Sequence, residues 1–111
     1  VTKTFTKVDE TKRGAFGDMT AVFGRLDITS YTSGGEDFAL SDVPGLSSTV
    51  TTVLFGGVSD QGFVFHYDES NDQVKAFAQD GSGTSGSDTV GLAEADGSDD
   101  AGEAWCIVIG K

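Results

Sequence analysis

The chain has 111 residues, 37% hydrophobic and 10% aromatic, a size suited to one domain around one core; its single cysteine, Cys106, excludes an internal disulfide. Eighteen Asp and Glu oppose seven Lys and Arg, a net charge of −11, so past residue 13 a phosphate backbone would meet only Arg25, Lys75 and Lys111, and nucleic acid is excluded as a partner. No apolar run approaches the ~20 residues of a membrane span, and no secretory h-region is present, so no membrane partner is expected.

The charge is unevenly placed. Residues 1–13 carry Lys3, Lys7, Lys12 and Arg13 against Asp9 and Glu10, a balance of +2 that leaves −13 for residues 14–111. This predicts a basic N-terminal arm over 1–13, able to attach to an acidic neighbour, and a single domain over 14–111. A weak strand is expected around Thr4 to Val8 within that arm.

Alternation with period two governs the rest, and no window carries a helical stripe, so the fold class is all-β. In "DMTAVFGRLDITSY", Val22, Gly24, Leu26 and Ile28 share one face and Phe23, Arg25 and Asp27 the other. "SYTSGGEDFALSDVPGL" then turns sharply at Gly34 and Gly35, with one short helical turn expected near 41–45 and Phe38, Leu40, Val43 and Leu46 packing as a lid. A β-branched strand, Thr49 to Phe55, ends at Gly56 and Gly57.

"GFVFHYDESNDQVKAFAQ" reads as a hairpin: Phe63, Phe65 and Tyr67 alternate on one strand, Val74, Ala76 and Ala78 on the next, and Asp68–Asp72 make the turn. A Gly/Ser loop over Asp80–Asp88 and a short "TVGLAEA" strand follow. The closing "AWCIVIG" is apolar at both parities and is expected to be buried on both faces or central, with Cys106 a small hydrophobe. The count is seven or eight short antiparallel strands, in a β-sandwich or small barrel.

Few residues suggest chemistry. Gly81 to Gly86 spell G-x-G-x-x-G, but no helix opens after them to hold a pyrophosphate, so a surface loop is expected. His66 stands alone on the face away from the core, without spacing that supports a triad, and one Cys with one His cannot supply a zinc site. Clustered acids make Asp68, Glu69, Asp72, Asp99 and Asp100 the only candidates for Ca²⁺ or Mg²⁺, although neither cluster has the EF-hand register and solvated loops are the plainer reading. No enzyme and no cofactor is expected. The interface candidates are Lys3, Phe5, Lys7, Lys12 and Arg13 in the arm and Tyr31 in the corner.

The Asp-rich, lysine-poor composition resembles that of proteins from extreme halophiles, whose acidic surfaces stay hydrated in concentrated salt. Gly17-Asp18 leading into the first long strand, the Tyr31-x-x-Gly34-Gly35-Glu36 turn, the Leu40 to Gly45-Leu46 corner, the Tyr67-Asp68 hairpin and the terminal "WCIVIGK" together resemble a family of small structural proteins of tailed viruses. Pro44 and the lengthened acidic loops of the last third depart from that pattern. The resemblance implies a jelly-roll β-sandwich and a capsid decoration or cement protein on the virion surface, produced in the host cytoplasm. It also implies contact with the major capsid protein and a homo-oligomer, a trimer first and a pentamer or hexamer next. A tail or baseplate component and a small host-attachment or carbohydrate-binding β-module are the rivals.

Overall fold

A computed structural model describes residues 3–7, 13–79 and 92–111. They form two antiparallel sheets. Strands β1 (Lys3–Lys7), β2 (Arg13–Phe16), β3 (Met19–Ile28), β5 (Val50–Gly56) and β9 (Gly102–Gly110) make a five-stranded sheet, in the order β1-β3-β9-β5 with β2 also on β3. Strands β4 (Glu36–Asp37), β6 (Val64–Asp68), β7 (Gln73–Gln79) and β8 (Leu92–Glu94) make the second, in the order β4-β7-β6 with β8 also on β7. The all-β class is as the alternation predicts. The strands not anticipated are β2, which pairs back on β3 through the Gly17-Asp18 turn, and the two-residue β4.

The long strand obeys its parity: Val22, Leu26 and Ile28 are fully buried, whereas Phe23 is 41% exposed. A side chain at position 24, also inward, would meet the Phe5 ring at 2.5 Å and the Thr6 carbonyl at 2.6 Å, so glycine is required where β1 crosses. The hairpin forms as read, with Tyr67 opposite Val74 and Phe65 opposite Ala76, all four buried. Inner faces of both sheets meet in one core: Phe55 of β5 packs edge-on against Phe65 of β6 at 5.4 Å, and Phe38 does so against Tyr67 at 6.4 Å.

The corner follows its glycines. Gly34 and Gly35 take φ of 95° and 131°, Glu36 is buried, and the Thr32 hydroxyl donates to its carboxylate at 2.7 Å. A 3-10 turn spans Leu40–Asp42 rather than 41–45, because Asp42 reaches back to accept from the Ala39 amide at 2.8 Å instead of capping from the front. Phe38 and Val43 are buried, and Leu46 packs against the core beside them.

Within the basic N-terminal segment the weak strand expected around Thr4 to Val8 forms over Lys3–Lys7. Residues 3–7 form β1, which pairs with β3 from Lys3–Ile28 to Lys7–Gly24, and Phe5 packs on Phe38 at 6.0 Å, half-buried against the core, where its ring loses contact with water. Of the two placements expected for the last strand, β9 takes the central one, and only one of its faces is buried. Ala104, Cys106 and Val108 point inward, while Trp105 is 57% exposed.

Candidate functional site

The outward face of the five-stranded sheet is built by register. Opposite residues share a face, so Phe23, Ile107 and Leu54 form one row across β3, β9 and β5, and Arg25, Trp105 and Gly56 form the next. Phe23, Leu54 and Trp105 are all substantially exposed, in a protein of net charge −11. Because Gly56 has no side chain, a depression of about 540 Å³ opens beside the indole, floored by Ile107 and the strand backbones. A methyl group at position 56 would only touch Trp105 at ordinary contact distance, so the hollow is open space rather than a packing necessity.

The rows become charged toward one end. The Arg25 guanidinium lies over the Trp105 ring at 5.4 Å and its Nη1 is 3.5 Å from Glu103. Asp27 sits opposite Glu103, and its pKa is raised, first by loss of solvent and then by Glu103, Asp100 and Asp60. The face is therefore apolar in the middle and ionic at one margin.

The acidic loops are engaged locally. Asp68 accepts from the Ser70 amide at 3.1 Å and from Asn71 Nδ2 at 2.8 Å, and Lys75 lies 3.6 Å away; the Asn71 bond is the largest reason its pKa is lowered. Tyr67 donates its hydroxyl to Asp72, Asp99 accepts from the Asp96 amide and Asp100 from the Gly102 amide. Glu69 is exposed at the hairpin tip. Among the described residues no three carboxylate, His or Cys side chains converge as metal ligands would. His66 is exposed opposite Lys75. Burial pushes the Cys106 thiol up to about 12, which makes it inert at neutral pH.

The expected interface residues scatter. Lys3 is half-buried with its Nζ 3.7 Å from Asp42, Phe5 is half-buried and packs against the core, and Lys7 is half-buried at the end of β1. Lys12 lies outside the described residues, as does the Gly81–Gly86 motif, and Arg13 pairs through its backbone with Val22. Tyr31 is not a surface residue: it is 2% exposed, its hydroxyl donates to Glu94 at 2.6 Å, and its amide donates to the Asp99 carbonyl. Its aromatic ring is more stable inside because the hydroxyl keeps a partner there.

What the sequence reading missed is the face bearing Leu54, Trp105 and Ile107. The signal was present in "AWCIVIG", whose second parity is Trp105, Ile107 and Ile109. An apolar residue at an outward position looks the same in sequence as one buried from both sides. No protein-family profile matches the chain, and neither a curated protein nor a solved structure matches it.

Proposed function

We propose that the chain is a non-enzymatic structural protein of a tailed virus that decorates or cements the capsid by binding the major capsid protein, as a homo-oligomer. The observation that carries an assembly role is the apolar face on which Phe23, Leu54 and Trp105 stand exposed around half-buried Ile107, on a protein of net charge −11. The viral assignment rests on the ordered motifs from Gly17 to Lys111. A jelly-roll topology is part of the same proposal, supported by a chain that passes from β3 to β4 in the other sheet, back to β5, across to β6, and returns last to β9 between β3 and β5.

Imaging particles assembled with and without the protein tests this reading. Density lost from the head supports it, and density lost from the tail alone overturns it in favour of a tail or baseplate component. A Trp105→Ala variant should fold normally and occupy fewer sites.

One feature favours a second reading. An exposed tryptophan on a flat face can stack on a sugar ring, as in a carbohydrate-binding module. Against it, the lining beside Trp105 is Phe23, Leu54, Phe55, Cys106 and Ile107, which offer sugar hydroxyls no side-chain carboxylate, amide or hydroxyl partner. Retention on immobilised glycans, lost in Trp105→Ala, would reverse that preference.

A further inference from the structure

The edges of the two sheets are not guarded alike. An edge strand offers unpaired N–H and C=O groups to any further strand, and charges on it normally discourage the addition. Strand β1 carries Lys3 and Lys7, opposite the inward-facing Ile28 and Gly24; β4 is Glu36–Asp37; β6 ends in Asp68 and β8 in Glu94. β5 differs from all of these. It pairs with β9 along one side, and among the described residues no strand pairs along the other.

The segment around it is also neutral. Residues 43–59 contain no charged side chain, in a chain where 23% of residues are charged. A shift in register near Thr51 disturbs only the start of β5, and Thr52–Gly56 pair without interruption against Ile109–Trp105. Leu54 stands 55% exposed on the outward face of this edge, at the end of the row that Ile107 and Phe23 continue.

We propose that β5 of one copy pairs antiparallel with β5 of a second copy, joining two five-stranded sheets into one continuous sheet about a two-fold axis. Each copy carries −11, so a self-contact must lie where like charges do not meet. When this strand pairs with itself, each residue of the neutral segment faces another residue of the same segment, and no acid is set opposite an acid. Side chains alternate, so a register that keeps outward faces together puts Leu54 of both copies on one side and merges their apolar rows into a single band. Thr51, Thr52 and Val53 add the β-branched side chains that favour cross-strand pairing. The arrangement closes at a dimer, not at the trimer that analogy with decoration proteins suggests. It concerns the free protein and stands apart from the virion reading, which capsid occupancy tests separately.

Sedimentation equilibrium of the full chain in molar salt, over a wide concentration range, tests the pairing. The native chain should reach a dimer mass. Leu54→Lys, which sets lysine near lysine across the axis, should weaken the dimer by roughly a hundredfold, with circular dichroism unchanged because position 54 is exposed. Leu92→Lys, at a 63% exposed apolar position on β8, should leave the dimer intact. Thr51→Lys, at a second exposed site on the β5 edge, decides the matter if Leu54→Lys fails to fold. A monomer at every concentration, a trimer, or a dimer that survives a folded lysine variant of β5 overturns the proposal.

Discussion

The outward faces of the two sheets share a scaffold and differ in chemistry. On the four-stranded sheet the outward pairs are Val64–Phe77, His66–Lys75 and Asp68–Gln73, with Lys75 also 3.6 Å from Asp68: mostly polar groups that water can satisfy. On the five-stranded sheet the corresponding rows are Phe23–Ile107–Leu54 and Arg25–Trp105–Gly56. Alternation on β6 and β7 follows the ordinary inside-apolar, outside-polar pattern of an antiparallel sheet. Its failure on β9 marks the surface that folding alone does not explain.

Substitutions on opposite faces of one sheet measure this difference most strongly. Leu26→Ala, fully buried, should cost about 2–5 kcal/mol in chemical denaturation. Leu54→Ala, 55% exposed, should fall within about 0.5 kcal/mol. Equal losses would mean that the outward face is packed in the isolated chain.

Alkali probes the inner side next. Burial, and then the bond to Asp72, push the Tyr67 phenol from 10.0 up to about 12, and burial with the Glu94 bond raises Tyr31 further. The unfolded phenols ionise first, so the stability they supply is complete below pH 10 and is lost as the pH climbs from 10 through about 12. Phenolate absorbance should therefore rise together with unfolding; ionisation near pH 10 in the folded protein would show that these rings are open to water.

Gly24→Ala brings a methyl group against the Phe5 ring and the Thr6 carbonyl, and should cost about 1–3 kcal/mol as β1 is pushed outward. Gly56→Ala on the outward side meets only ordinary contacts and should change thermal stability far less while partly filling the hollow beside Trp105. Trp105→Ala should likewise cost little, about 1 kcal/mol or less, chiefly the Arg25 stacking. As the sole tryptophan, Trp105 should emit as a solvated indole in the monomer and shift to shorter wavelength when a partner covers this face.

Much of the scaffold was legible because period-two patterns report burial directly. β3 and the β6–β7 hairpin could be read residue by residue, down to Phe23 lying outside the core. Where the pattern was uniform, as in β9, the strand was evident but its exposed face was not. The surroundings of Tyr31 and Phe5 were illegible for another reason: position in a turn-rich corner or a basic segment says nothing of long-range partners, Glu94 for one and Phe38 for the other, which decide how far each ring is covered. The β5 edge was invisible as an edge, since a strand's rank in its sheet depends on pairings with segments distant in the chain, here residues 105–110.

The placement of β9 between β3 and β5 has a consequence for the order of assembly. Hairpins β2–β3 and β6–β7 are local and can form early, whereas β3 and β5 have no common neighbour until residues 102–110 arrive. Until that insertion the neutral "VTTVLFG" stretch is exposed along both edges, so slow closure, or a chain interrupted before Gly102, invites aggregation through the same segment that the finished protein offers for pairing.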